Sequence, residues 1–131
     1  MSPEEMQGVE LLRDVPYGRV ATSMRALPFL AAARHVVVGG RVLLRMHAGF
    51  GYHHACNGSV VAYGADNFHS GASRLWSVQV TGTALLAEPA TEELELFGPG
   101  PLSMDGEVFD PVYLRIEPQL VTVHTLRGGT P

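Results

Sequence analysis

Arg45, His47, His53 and His54 fall within ten residues of one another, around a crossing that contains Gly49 and Gly51. Over Arg41–His47 a period of two puts Leu43, Arg45 and His47 on one face and Val42, Leu44 and Met46 on the other. One face therefore carries a cation and an imidazole. Beside it, glycines let backbone N–H groups approach a ligand closely, a combination suited to an anionic, flat molecule.

Imidazole is also a metal and haem ligand, which makes His47, His53 and His54 candidates for that role. No H-E-x-x-H, no C-x-x-C and no carboxylate at supporting spacing accompanies them. Adjacent histidines on one turn are expected to point apart, so no metal site is assigned. His35 and His124 read as strand histidines, and the single Cys56 as a small buried residue. There is no G-x-S-x-G elbow, no G-x-x-x-x-G-K-[ST] phosphate loop and no G-x-G-x-x-G between a strand and a helix. Gly98-Pro99-Gly100 is a proline-locked loop, not a phosphate cradle.

The elements that must position these residues are mostly short strands. Ser2-Pro3-Glu4-Glu5 reads as a helix start, with Met6, Val9 and Leu12 as its core stripe. Strands are expected over 19–24 and 29–38, joined by a turn at Ala26-Leu27-Pro28, and Gly39-Gly40 turns the chain into 41–47. A helical turn over Tyr52 to Cys56 stops at Asn57-Gly58, and a fourth strand runs from Ser59 to Ala65. After a polar loop to Arg74, Leu75 to Leu86 alternates Trp76, Val78, Val80 and Ala84 with polar residues. A short acidic helix over 88–97 ends at Gly98-Pro99, and 102–110 reads as loop. Pro111 to Glu117 and Leu120 to Leu126 are expected to form a hairpin around Pro118-Gln119.

Composition narrows the classes. The 131 residues suit one domain over 1–131, and 15 glycines with 9 prolines favour strands and turns over a helix bundle. All 9 basic residues are arginine, which removes lysine Schiff-base chemistry, and the net charge of −4 argues against a nucleic-acid partner. With 46% hydrophobic and 17% charged residues, the chain is expected to cover surface in an oligomer. Neither a secretory leader nor a long apolar span is evident, so no membrane partner is assigned and the cytoplasm is the default expectation.

The blocks Gly18-Arg19-Val20-Ala21, Arg34-His35-Val36-Val37-Val38-x-Gly40-Arg41-Val42, Val60-Val61-Ala62-Tyr63-x-Ala65-Asp66 and Trp76-Ser77-Val78-x-Val80-x-Gly82 follow one another along nearly the whole chain. In order and spacing they resemble the pyridoxamine 5'-phosphate oxidase-like, FMN-binding split-barrel proteins. The resemblance implies a mainly β fold, a six-stranded antiparallel split barrel with short helices, in a homodimer that binds a small-molecule ligand at its interface. It implies FMN, or a deazaflavin, and a flavin-dependent oxidoreductase acting on a small organic acceptor. Carried over residue by residue, the cofactor contacts are Arg45, Met46 and His47, then Gly51 and Tyr52, with Ser77 as a polar contact.

The chain also departs from that family. Met46 stands where relatives often have Thr, Phe50 where they have Ser, Gly51 where they have Lys, and Thr122-Val123-His124 where they have Thr-Gly-Arg. Losing a lysine at a phosphate removes a charge-assisted hydrogen bond of about 1.5–3 kcal/mol. Compensation would have to come from Arg45, Arg74, His53 or His54. The alternative is a non-catalytic binder that has lost the phosphate clamp, and haem ligation by a histidine is a third reading.

Overall fold

The computed structural model describes residues 1–127. Six strands close an antiparallel barrel: β1 (Tyr17–Met24), β2 (Leu27–Val38), β3 (Arg41–His47), β4 (Val60–Asp66), β5 (Arg74–Leu86) and, after the short pieces below, β8 (Pro111–Arg127), in the spatial order β1-β2-β3-β8-β5-β4. Three short helices surround it: α1 (Pro3–Leu11), α2 (Tyr52–Cys56) and α3 (Thr91–Phe97). Two two-residue strands, β6 (Ser103–Met104) and β7 (Glu107–Val108), pair with each other in the stretch expected to be loop. The mainly β, six-stranded architecture is the expected one.

Inward-facing residues alternate along every strand. Val42, Leu44 and Met46 of β3 meet Trp76, Val78 and Val80 of β5 and Leu114 and Ile116 of β8 in one buried core. Helix α1 closes one end with Val9, followed by Leu12 just beyond its end. Its start is at Ser2 as expected, and is a capping box in which Ser2 and Glu5 each accept the other's backbone N–H. Glu5 also accepts the Val121 N–H at 3.2 Å, tying the cap to β8. His35 stitches the same end: its Nε2 lies 2.6 Å from the Leu12 carbonyl, and its Nδ1 bonds the Tyr63 hydroxyl.

Met6 of the expected core stripe is exposed, and only Val9 and Leu12 are buried. Two further expectations need correction. The first turn is at Arg25-Ala26, both at positive φ (54° and 65°), and Pro28 lies within β2 opposite Ser23. Here β2 has only β1 beside it, because β3 pairing starts at Arg34, so proline's missing N–H breaks no ladder. The second is the closing hairpin. β8 is one strand of 17 residues, and Pro118-Gln119 is a bulge: Gly82 faces Pro118 and Thr81 faces Leu120. A Cβ on Gly82 would sit 2.0 Å from the Glu117 carbonyl oxygen, so the strands meet there only because the residue is glycine.

Candidate functional site

The outer face of β3 is not open to solvent. Leu43, Arg45 and His47 are 3%, 6% and 6% exposed, covered by α3 and the segment from Gly98 to Asp110. Phe97, at the end of α3, packs on Val36 and Leu43, and the Arg45 guanidinium lies 5.3 Å from its ring centroid.

Arg45 faces Arg34 directly across the β2–β3 ladder, and the row continues to Tyr17 on β1 and Tyr113 on β8. Like charges placed directly opposite destabilise a sheet. Among the described residues no carboxylate reaches ion-pair distance of either arginine. Their donors go to carbonyls instead: Arg45 Nη1 to Gly98 at 2.9 Å, and Arg34 to His35 at 2.5 Å, Pro16 at 3.3 Å and Leu96 at 3.4 Å. The C-terminal end of α3 thus supplies the partial negative charge between them. Cavities of about 140 Å³ and 330 Å³ flank Arg45, with Pro101 and Phe109 in both walls. Neither wall contains a carboxylate, and Arg34 and His47 line the smaller one. This donor set fits an anionic group on a planar ligand.

His47 is held in one tautomer. Its Nδ1 accepts the Asp110 N–H at 3.0 Å, so in the neutral ring the proton is on Nε2. Nε2 is buried without a hydrogen-bond partner, 3.7 Å from the exposed Glu107 carboxylate. Phe109 stacks on the ring at 5.5 Å and Phe50 meets its edge at 5.4 Å. The ring lies so close to Gly49 that a Cβ there would come within 2.4 Å of Nε2.

The family model described as pyridoxamine 5'-phosphate oxidase matches residues 4–125. The chain belongs to the pyridoxamine 5'-phosphate oxidase family. An uncharacterized protein of Mycobacterium tuberculosis is 37% identical over 83 residues, which is 60% of this chain and 55% of the relative; the chain spans about half the length of the curated relative it matches. Among solved structures, an FAD-binding protein of Mycobacterium smegmatis superposes with a TM-score of 0.71 at 23% identity, covering 98% of both chains. An FAD-binding protein of Mesorhizobium loti gives 0.62 at 17% identity, covering 96% of both. An FAD- and haem-binding protein of Mycobacterium smegmatis gives 0.64 at 19%, covering 99% of this chain and 73% of the other. These likenesses show a shared fold.

Within this family member, the residues singled out from sequence are only partly brought together. Arg45 and His47 share the buried face. Met46 packs into the barrel core between them and also lines the smaller cavity. Gly51, at φ 73°, starts α2, and Tyr52 stacks on Phe29 at 4.5 Å; Phe50 links both to His47. Ser77 is remote: it pairs with His124 towards the far end of β8, whereas Arg45 pairs with Tyr113 near its start.

His53 and His54 do not point apart as expected. Their rings tilt against each other at 3.9 Å, because exposed His54 folds back over buried His53. Burial, then the neighbouring His54, pushes His53 below its ordinary pKa, while Asp110 opposes the shift.

Arg34 was missed as a site residue, although a signal existed. It stands five positions before Gly39 and Arg45 five after Gly40, so a two-residue turn sets them opposite each other.

Proposed function

We propose that this chain is a flavin-binding oxidoreductase that works as a homodimer, with FMN or a deazaflavin held by its phosphate end at the Arg34–Arg45 cleft. The observation that carries this reading is the cross-strand arginine pair in a cleft without a carboxylate. Two guanidiniums there replace the lysine missing at Gly51, and the FAD-binding proteins of the same fold support a flavin as the planar part. When bound, the flavin supplies hydride transfer to a small organic acceptor. Arg34 and Arg45 bind and orient the anion, and Phe109 and Pro101 exclude water from it. The His47 Nε2–H offers a donor whose direction the Asp110 amide fixes. Ser77 would reach a cofactor only on the partner subunit's side of the interface. That placement belongs to the dimer proposal, as does the covering of exposed Leu27, Leu30 and Leu120.

One observation favours a second reading, a non-catalytic binder: the 98–109 segment narrows the cleft to volumes below the about 300–1,000 Å³ of drug-sized sites, or close to that lower bound. Visible absorption of the protein as purified, followed by FMN titration with fluorescence quenching, separates the two. Saturable quenching at one flavin per chain, weakened about tenfold or more in Arg45→Ala, supports the flavoprotein. A colourless protein indifferent to FMN overturns it.

A further inference from the structure

The stretch 99–109 covers the arginine cleft but is scarcely joined to the barrel. Among the described residues its backbone hydrogen bonds are internal: Ser103 with Val108 and Met104 with Glu107 pair as β6 and β7, and the Phe109 N–H donates to the Leu102 carbonyl. Bonds to the barrel come at the two ends, where the Gly98 carbonyl accepts from Arg45 and Asp110 is held by His47 and Ala48. Between those ends Leu102 and Val108 are 92% and 83% exposed, and the Glu107 carboxylate stands 3.7 Å from His47 Nε2, beyond hydrogen-bond range. Over 98–110 only Met104 and Phe109 are partly buried, and both line the smaller cavity. The stretch is therefore held down by two side chains that rest in the cleft itself.

Gly98 and Gly100 alternate with Pro99 and Pro101 at the entry to this stretch. The proline rings fix φ and the glycines leave joints between them; Gly98 sits at φ 70° and ψ −169°, a region that residues with side chains avoid. A hairpin bonded to itself, with little buried surface, opens at a lower free-energy cost than the strands that carry it. We propose that 99–109 is a flap hinged at Gly98–Gly100, and that its closed form, resting on Met104 and Phe109, shuts the Arg34–Arg45 cleft against a flavin-sized anion. The identity of the excluded ligand rests on the flavin reading; the movement does not. Opening withdraws Met104 from the smaller cavity and removes the wall of Pro101 and Phe109 that both cavities share. The small volumes beside Arg45 are then those of the closed flap, and ligand affinity is reduced by the fraction of chains in which the flap is open.

His47 reports the movement, since it is buried beneath the Phe109 ring. Diethyl pyrocarbonate, which acylates accessible imidazoles, is expected to modify His47 in the ligand-free protein faster than His35, whose two ring nitrogens are bonded inside the barrel. His35 thus controls for global unfolding, and peptide mass spectrometry reads both sites. Met104→Ala removes one of the two anchors, so it should speed His47 modification about fivefold and tighten FMN to the same extent. Gly100→Ala should slow His47 modification about twofold or more: its methyl would meet the Arg45 guanidinium at 3.7 Å, an ordinary contact, so the closed form accepts it while the open chain loses freedom. Modification of His47 no faster than that of His35, or a His47 rate that neither variant shifts, overturns the flap. Faster modification of Met104→Ala without tighter FMN binding, in a parent that binds FMN, overturns its role in excluding the ligand. Modification that follows these expectations in a protein indifferent to FMN keeps the flap and sinks the flavin reading instead.

Discussion

Replacing Arg34 by Gln is the sharpest probe of the arginine cleft, because it changes charge without touching the core. Arg34 and Arg45 are direct cross-strand partners, and two unit charges taken at about 6 Å repel by about 3 kcal/mol at an effective dielectric near 20. Partial exposure of Arg34 and salt reduce this to about 1 kcal/mol. The substitution also gives up the hydrogen bonds to Pro16, Leu96 and the His35 carbonyl, together about 2–3 kcal/mol. The hydrogen bonds outweigh the relieved repulsion, so ligand-free Arg34→Gln is expected about 1–2 kcal/mol less stable than the parent in urea denaturation.

FMN changes that balance. At ten times its dissociation constant FMN stabilises the parent by about 1.4 kcal/mol, or about 5 °C in Tm for a chain of this size. Losing one charge-assisted hydrogen bond raises the constant about tenfold, and the same FMN concentration then shifts the variant by only about 1 °C. Thermal melts of both proteins with and without FMN read the difference. Equal shifts would refute a phosphate role for Arg34. A ligand-free loss above about 3 kcal/mol would instead identify Arg34 as a clamp for α3.

Three further outcomes are expected. Gly82→Ala should cost about 3 kcal/mol or more by urea denaturation, since its methyl would overlap the Glu117 carbonyl opposite the bulge. His35 and His53 are both held below the ordinary imidazole value of 6.5, chiefly by burial, so the unfolded chain binds more protons below that pH. Stability should be full above about pH 6.5 and fall as pH drops below it towards the folded values; His35→Gln should flatten that fall in a pH series of melts. Burial pushes the Cys56 thiol up to about 11, so a thiol reagent should label it slowly in the native protein and fully in denaturant.

The barrel was legible because strand periodicity and burial coincide. Trp76, Val78, Val80 and Ala84 alternate in the sequence and, with Gly82, are the buried positions of β5. Local signals failed where tertiary geometry replaced them. Arg25-Ala26 carries none of the glycine or asparagine that a positive-φ turn calls for, so the true turn was silent and Pro28 drew attention instead. At Pro118-Gln119 the proline signalled a break, but β5 opposite runs unbroken for 13 residues and holds β8 in register on both sides. A turn signal placed against a long partner strand becomes a bulge.

The site divides in the same way. Arg45 and His47 were found from one strand's own period, and their burial was not, because the cover comes from α3 and residues 98–110, more than forty positions away. Charge explains why the cover can exist. A solvated Arg45 would need no partner, but a buried one needs an acceptor, and the Gly98 carbonyl at the end of α3 provides one without neutralising its charge. A neighbouring carbonyl, that of Leu96, accepts from Arg34, so the end of α3 that closes the face also holds two cations beneath it. Had either partner been an Asp or Glu, the pair would be an ordinary internal ion bridge with nothing left for a ligand. Among the described residues no carboxylate stands between the two facing arginines, and it is on this that the proposed anion site rests.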